Sequence, residues 1–310
     1  MSIVASSPDE LRAAAGTFSC VATIGNFDGV HIGHAELLRR AAQRARELNI
    51  PSVAITFDPH PAELFSSDPP RTLCTPSQKA DLLADQGMDA VLILPFTPEL
   101  ASRTAAQFAA GVLEQELRVR ELFVGYDFRM GSDQVLLSGS IGNGCTVKQV
   151  EAVLHGGRPV SSTRIREALA LRRLEEANAL LGRCFAVRGM VVHGAGRGGP
   201  VLGIPTANLS LAPRQVTPAP AVYATSSRIL GGDGRWLPSV TSFCKNPTFN
   251  GTSLTLETHI LDQSLDLYGQ ELEVCFLREL RGERRFESLD ALRTQLRLDM
   301  DARRAMLRQP

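Results

Sequence analysis

The sequence predicts two domains of different architecture, an α/β domain built on a parallel sheet over residues 1–182 and a small antiparallel β-barrel with a terminal helix over residues 183–310. Strand-like and helical patterns alternate in the first half, which is typical of a parallel sheet covered on both faces. The second half carries short strand-like segments separated by Gly and Pro turns. The length of 310 residues also exceeds the usual size of one hydrophobic core.

A strand–helix–strand pattern opens the first domain. An apolar run over residues 21–25 ends in glycine, and residues 34–48 then place Leu37 and Ala41 on one helical face. A second apolar run follows over residues 52–57. This order predicts a β-α-β unit whose two strands lie parallel.

A capped helix comes next in the chain. Thr75 is a good N-cap, Pro76 suits the first helical position, and Gly87 ends the helix. The rest of the first domain is expected to contain two more strands, 89–96 and 121–125, joined by a helix through Phe108, Val112 and Leu113.

The second domain is predicted to begin without a flexible linker, because residues 180–183 contain no Gly/Ser-rich stretch. Its helical content is confined to the end of the chain. The predicted elements are strands over residues 186–192, 222–229, 254–260 and 272–277, followed by a helix over residues 289–307.

Composition argues against several classes of partner. Lys and Arg together number 33, as do Asp and Glu, so the balance of charge does not favour binding to nucleic acid or to an anionic membrane. No apolar run reaches the roughly 20 residues that span a bilayer, and the N-terminus lacks the pattern of a signal peptide. Six widely spaced cysteines without a C-x-x-C pair indicate reduced thiols, so a cytoplasmic protein is expected.

The strongest chemical motif follows the first strand of the β-α-β unit. His31 and His34 lie three residues apart where the helix begins, and backbone N–H groups at a helix N-terminus favour an anion. Gly33 lets the chain approach a phosphate without a Cβ. The H-x-G-H pattern between strand and helix favours nucleotidyl transfer. A metal site, which lacks a third ligand nearby, and a generic turn are the alternatives.

Two further groups are candidate phosphate or nucleotide ligands. Ser161, Ser162 and Thr163 offer hydroxyls and an N-cap to a helix expected to begin near Arg164, and Arg166 adds a permanent charge. A capped surface helix is the alternative interpretation. His60 follows the second strand and is expected to contact nucleotide, although it would equally cap the turn before Pro61.

The second half contains a candidate metal site and a candidate phosphate loop. Thr206 and Asn208 lie two residues apart, so both face the same side of an extended segment. Their oxygens suit Mg²⁺ held together with ATP phosphates, whereas the alternative is a buried Thr–Asn hydrogen bond. The glycine-rich loop 194–199, with Gly196 and Arg197, suits closure over phosphates.

These motifs together resemble the bacterial bifunctional riboflavin kinase/FAD synthetase family. The resemblance rests on stretches that occur in the family order over residues 18–305. They are ATIGNFDGVHIGH at 22–34, FDPHP at 57–61, VGYDFR at 124–129, SSTRIR at 161–166, LGIPTAN at 202–208, NPTF at 246–249, LETH at 256–259 and LYG at 267–269. The resemblance implies a Rossmann-like nucleotidylyltransferase sheet followed by a riboflavin kinase-like barrel.

The resemblance also implies roles for individual residues. Glu257 matches the acidic residue proposed as general base toward the flavin's terminal hydroxyl, although the polar face of an edge strand would explain it equally well. His31, His34, Arg166 and Glu257 are the expected catalytic residues. ATP and phosphate ligands are expected at Gly25, Asn26, Phe27, Gly33, His60, Ser162, Thr163, Gly196 and Arg197. Flavin contacts are expected at Asp127, Phe128, Asn246 and Thr248, and Mg²⁺ ligands at Thr206 and Asn208.

The expected function is therefore phosphorylation of riboflavin to FMN with ATP and Mg²⁺, then adenylylation of FMN to FAD. The alternatives are an adenylyltransferase whose kinase-like domain has lost turnover, a non-catalytic flavin-binding protein, and an adenylyltransferase for another phosphorylated metabolite. The sequence departs from the family pattern at Ile204, Ala221 and Cys244, and its segment 131–144 is short. If Ala221 and Cys244 had positive φ, each would add strain of about 1–3 kcal/mol.

Overall fold

The computed structural model describes residues 2–16, 19–142, 144–194, 204–248, 251–263 and 265–307, with residues 245–248 and 251–254 described by their backbone alone. The chain divides into two compact units, Met1–Ser162 and Thr163–Pro310. No helix in these described ranges has the length and apolar character needed to cross a membrane.

The first unit alternates strands and helices, as the sequence predicts. Its strands are β1 Ile3–Ala5, β2 Cys20–Ile24, β3 Ser52–Asp58, β4 Ala90–Pro95, β5 Val119–Gly125, β6 Arg129–Met130, β7 Val135–Leu136, β8 Ser140–Ile141, β9 Cys145–Val150, β10 Leu154–His155 and β11 Arg158–Pro159. Its helices are α1 Pro8–Ala15, α2 Ile32–Leu48, α3 Ala62–Phe65, α4 Pro76–Asp85, α5 Pro98–Ser102 and α6 Ala105–Phe108, and a π-helix follows over Ala109–Glu116.

Seven of these strands form one sheet in the order β1-β4-β3-β2-β5-β9-β8. All neighbours pair in parallel except β8, which runs antiparallel to β9 at the edge. Every residue of β2 is buried, which fits a central strand with both faces covered. The predicted parallel sheet and β-α-β unit are confirmed, while β1, β8 and β9 were not predicted.

The predicted N-cap of α4 is confirmed. The Thr75 hydroxyl accepts from the Gln78 N–H, and the Gln78 side chain accepts from the Thr75 N–H, which makes a capping box. The predicted helix through Phe108 is present, but it becomes a π-helix after α6. There the Leu117 N–H reaches back five residues to the Val112 carbonyl at 3.0 Å.

The described residues of the second unit form six strands and three helices. The strands are β12 Phe185–Val192, β13 Ala207–Leu211, β14 Ala221–Ile229, β15 Leu237–Thr248, β16 Gly251–Ile260 and β17 Glu271–Gly282, and the helices are α7 Ser162–Ala170, α8 Leu174–Leu181 and α9 Leu289–Met306. The strands close into a barrel in the order β12-β13-β16-β15-β14-β17, and every pair is antiparallel. The predicted barrel and terminal helix are confirmed, while β13 and β15 were not predicted.

Helix α9 packs on the outer face of the barrel. Val222 and Val240 are buried there with Met300 of the helix against them. The Arg303 guanidinium donates to the Thr225 carbonyl at 2.9 Å, and Arg281 forms an ion pair with the buried Asp299 at 2.9 Å.

Helices α7 and α8 are hydrogen-bonded to the barrel within the second unit. The Asn178 side chain donates to the Phe276 carbonyl at 3.0 Å and accepts from the Phe185 N–H at 2.7 Å. The Ala219 N–H donates to the Leu169 carbonyl at 3.3 Å. The compact units therefore divide before these helices, whereas the domain boundary between residues 182 and 183 stays a prediction.

Candidate functional site

The loop between β2 and α2 has an unusual backbone. Phe27, Gly29 and Val30 have φ angles of 46°, 79° and 39°. A β-branched residue such as Val30 rarely adopts positive φ, so the backbone of this loop is strained. Such a conformation persists only where contacts with the surrounding structure hold it in place. Of the predicted ligands here, Phe27 is fully buried with its ring edge-on to His34 at 5.2 Å, so this ring supports the histidine.

The two predicted histidines come together at the N-terminus of α2. His31 is the N-cap, and its Nδ1 accepts from the His34 N–H at 3.2 Å. The neutral His31 ring therefore carries its proton on Nε2. The rings stack with centroids 3.6 Å apart and planes 13° apart. A Cβ on Gly33 would lie 3.1 Å from the His31 ring, so glycine also makes room for this histidine.

The start of α7 is fixed to the strained loop. The Ser162 hydroxyl donates to the Asp28 carbonyl at 2.8 Å. The helix begins at Ser162, two residues before the predicted start, and Thr163 is an exposed residue of its first turn. Arg166 is half-buried one turn further along the helix.

His60 caps a turn after β3. Its Nδ1 accepts from the Ala62 N–H at 3.2 Å at the start of α3. This is the capping arrangement considered as the alternative, and contact with nucleotide stays a prediction. Strands β3, β2 and β5 are neighbours in the parallel sheet, so the loops that follow them leave from the same edge.

The loop after β5 carries two predicted flavin contacts. Asp127 is exposed, whereas Phe128 is half-buried and packs against the hydrophobic core of the first unit. The Phe128 N–H donates to the Gly125 carbonyl at 3.1 Å, which closes a tight turn. Phe128 therefore contributes to packing as well as lying at the edge of the sheet.

Two of the predicted kinase residues face each other on neighbouring strands of the barrel. Asn208 of β13 is directly opposite Glu257 of β16, which is in turn opposite Ser242 of β15. Thr206 and Asn208 are half-buried on either side of the buried Ala207, as alternation predicts. A Cβ on Gly194 would overlap the Asn208 amide, so a larger residue there would displace this side chain.

The environment of Glu257 differs from that of an edge strand. Its strand is paired on both sides within the closed barrel, so the edge-strand interpretation is wrong. Burial raises the pKa of Glu257 above its ordinary value. A carboxyl group with a raised pKa is better suited to accept a proton near neutral pH than a fully exposed one.

His259 is a neighbouring residue that the sequence did not single out as functional. It shares the Glu257 face of β16, and its Nδ1 donates to the Pro205 carbonyl at 2.7 Å. This bond holds the segment just before Thr206 beside β16. The signal available in the sequence was only the two-residue spacing from Glu257.

The remaining predicted kinase residues are only partly described. Asn246 and Thr248 pair with Ser253 and Gly251 between β15 and β16, and their side chains are outside the description. Gly196 and Arg197 lie outside the described residues. Ala221 and Cys244, two positions at which the sequence departs from the family pattern, lie within strands, and neither has positive φ. The backbone strain considered for them therefore does not arise.

Known protein families match both parts of the chain. Residues 15–164 match the FAD synthetase family and residues 181–307 match the riboflavin kinase family. The bifunctional riboflavin kinase/FMN adenylyltransferase of Escherichia coli K12 is 40% identical over 286 residues, covering 90% of each chain. The protein belongs to the bifunctional riboflavin kinase/FMN adenylyltransferase family.

Two more proteins are similar over nearly the whole chain. The bifunctional enzyme of Pseudomonas fluorescens is 41% identical over 293 residues, covering 93% of each chain. A crystal structure from Streptococcus pneumoniae, described as a macrolide-efflux protein, is 32% identical with a TM-score of 0.82 and covers 98% of each chain. The resemblance inferred from the motifs is thus confirmed over both halves of the chain.

Proposed function

We propose that this chain makes FAD from riboflavin in two steps. The barrel transfers the γ-phosphoryl group of ATP to the terminal hydroxyl of riboflavin, giving FMN and ADP. The α/β unit then transfers AMP from a second ATP to FMN, giving FAD and pyrophosphate. The observation that carries this proposal is that each family match contains its own chemical group, the stacked His31–His34 pair in one and the Asn208–Glu257 pair in the other.

Adenylyl transfer requires charge stabilisation more than covalent catalysis. An oxygen of the FMN phosphate attacks the α-phosphorus of ATP, and the bond from that phosphorus to the pyrophosphate oxygen breaks. In the proposal His31, His34 and Arg166 stabilise the charge that spreads over the reacting phosphates. The remaining ATP ligands of this site are Gly25, Asn26, Phe27, Gly33, His60, Ser162 and Thr163, and the flavin contacts are Asp127 and Phe128.

The kinase step requires a base toward the flavin hydroxyl. Glu257 takes the hydroxyl proton as the oxygen attacks the γ-phosphorus, and ADP leaves. Burial of Glu257 and its raised pKa support this role. Gly196 and Arg197 are the proposed phosphate ligands of this site, and Asn246 and Thr248 are its proposed flavin contacts.

Mg²⁺ is the proposed cofactor of the kinase step. Thr206 and Asn208 are half-buried, share one side of their segment and offer hard oxygen donors, so they fit this ion. Bound there with ATP, Mg²⁺ would neutralise phosphate charge. A cytoplasmic location is also part of the proposal, since all six cysteines are free thiols.

One assay that follows riboflavin, FMN and FAD together tests both steps. The unaltered chain should convert riboflavin to FMN and then to FAD. His31→Ala should stop at FMN, with FAD formation reduced by about 10²–10⁴-fold. Glu257→Gln should fail on riboflavin but adenylylate supplied FMN. Conversion of FMN alone by the unaltered chain would instead support the adenylyltransferase-only alternative.

A further inference from the structure

Lys79 on α4 is a buried cation. It is 6% exposed, and its Nζ donates to the Phe57 carbonyl at 2.9 Å and to the Thr56 hydroxyl at 3.3 Å. No carboxylate among the described residues forms an ion pair with it. Burying an ammonium group against neutral acceptors costs several kcal/mol, so the position of this charge calls for a compensating benefit.

The second acceptor connects Lys79 to the strained loop. The Thr56 hydroxyl donates to the Asn26 carbonyl at 3.2 Å. A hydroxyl has one proton to donate, and lysine can only donate. The bond from Lys79 therefore occupies a lone pair on the Thr56 oxygen and leaves its proton directed at Asn26. The ammonium thus sets the direction of the hydrogen bond that holds the start of the loop.

The segment just before α4 holds the same loop at two more points. The Leu73 N–H donates to the Asp28 carboxylate at 2.8 Å, and the Gly29 N–H donates to the Cys74 sulfur at 3.3 Å. These bonds are made at Asp28 and Gly29, within the stretch that contains the residues with positive φ. The strained backbone that leads to His31 is therefore held from outside by residues 73–79 and by Thr56.

We propose that Lys79 is a positioning residue for adenylyl transfer. It orients Thr56, which holds the loop that carries His31, and it places a fixed positive charge behind the edge of the sheet from which that loop leaves. In a medium of low dielectric such a charge acts more strongly on an anion than it would in water. This inference rests on the proposed adenylyltransferase function of the same site.

A purely structural lysine makes a different prediction. If Lys79 only fills space under α4, its loss lowers stability, and the activity of the folded fraction stays unchanged. If it acts through Thr56, loss of either residue lowers the activity of folded protein. The two losses then do not multiply, because the second variant removes a contact that the first has already disabled.

The experiment uses the full chain and compares Lys79→Met, Thr56→Val and the double variant in FAD formation from FMN and ATP. Lys79→Met should lower kcat/KM for ATP by about 10–100-fold, Thr56→Val should lower it by about tenfold, and the double variant should match Lys79→Met within about threefold. Riboflavin phosphorylation by the same chains should stay within twofold of the unaltered protein.

Two control variants test whether the effects depend on the buried position of Lys79 and on the hydroxyl of Thr56. Lys148→Met removes an exposed lysine of β9 in the same unit and should change nothing. Thr56→Ser keeps the hydroxyl and should retain activity that Thr56→Val loses. If Lys79→Met misfolds and also loses the kinase step, the Thr56 pair decides: equal activity of the two Thr56 variants overturns the inference.

The inference and the proposed function fail in different ways. No FAD from FMN and ATP with the unaltered chain removes the proposed adenylyltransferase function itself. FAD formation by the unaltered chain, with Lys79→Met within twofold of it, removes only the role of Lys79. Multiplying effects in the double variant also overturn it, because they would mean that Lys79 does not act through Thr56.

Discussion

At the scale of single residues, Gly33 makes room for the His31 ring, a role that the sequence did not predict. Its lack of a Cβ was expected to let a phosphate approach the backbone. The structure adds a contact with the neighbouring histidine, since a Cβ there would lie 3.1 Å from Cε1 and 3.2 Å from Nδ1 of His31. The second atom is the acceptor of the His34 N–H, so crowding at Gly33 reaches the hydrogen bond that orients the ring.

We expect Gly33→Ala to impair FAD formation selectively. The new methyl group must displace the His31 ring by a few tenths of an ångström, and misplacement of a catalytic group costs up to about 10²-fold in rate. Steady-state assays should show FAD formation reduced by about 10–100-fold with riboflavin phosphorylation unchanged. Gly144→Ala, where the methyl group meets open space, is the control, and equal rates for the two variants would contradict the prediction.

Glu257 makes the kinase step sensitive to acid. Burial raises its pKa above 4.5, and the protonated carboxyl cannot accept the hydroxyl proton. The kcat/KM for riboflavin should therefore fall as pH falls through this raised pKa, beginning at a higher pH than for an exposed glutamate. A pH–rate profile measures this acid limb. If the residual activity of Glu257→Gln falls at low pH in the same way, the titrating group is not Glu257.

At the scale of elements, the sequence predicted strands mainly from runs of apolar residues. β2 and β3 were found because both are buried almost throughout and most of their residues are apolar. β15 was missed because its buried residues include Ser239 and Thr241, and because it contains two prolines. The change from α6 to a π-helix could not be predicted either, since it depends on which carbonyl each N–H selects.

The buried hydroxyls of the barrel form one hydrogen-bonded chain. Ser239 bonds to Ser227 at 2.8 Å and to Thr225 at 2.7 Å. Thr225 bonds to Thr241 at 2.8 Å, which bonds to Thr258 at 2.9 Å. Each of these hydroxyls is buried and has a hydrogen-bond partner. Polar residues therefore occupy buried strand positions at which apolar residues are usually expected.

Ser239→Ala should destabilise the barrel although it removes one oxygen atom. The loss leaves the hydroxyls of Ser227 and Thr225 each short of a bond in a buried site, which costs about 1–3 kcal/mol. Ser210→Ala is the matched control, because Ser210 is exposed on β13 and its loss should stay within about 0.5 kcal/mol. Urea unfolding monitored in the second unit measures the difference, and equal midpoints for the two variants would contradict it.

At the scale of the whole molecule, the sequence predicted the two architectures and the residues nearest the chemistry. The paired histidines were accessible because they lie within one short stretch, and Thr206 and Asn208 because they lie two residues apart. Glu257 was assigned by the family resemblance, and its position opposite Asn208 came from the structure. The residues that hold the loop before His31 could not be predicted in this way. Lys79 and Thr56 lie 53 and 30 residues after Asn26 along the chain, and only the folded sheet brings them to the same loop.

FMN is the product of the proposed kinase site and the substrate of the proposed adenylyltransferase site. His31 and His34 lie in the first compact unit and Asn208 and Glu257 in the second, and the only chemical link that the two reactions require is FMN itself. FMN can dissociate from one site and bind at another. If it does so, sites on different molecules can complete the pathway as well as sites on the same molecule.

Mixing two inactivated chains tests this independence. His31→Ala should supply FMN and Glu257→Gln should adenylylate it, so together they should convert riboflavin to FAD after a lag while free FMN accumulates. Neither variant alone should yield FAD from riboflavin. With labelled riboflavin, added unlabelled FMN should dilute the label in FAD equally for the mixture and for the unaltered chain. Undiluted label in FAD from the unaltered chain would show instead that FMN is retained between the two steps, because a released intermediate must equilibrate with the added pool.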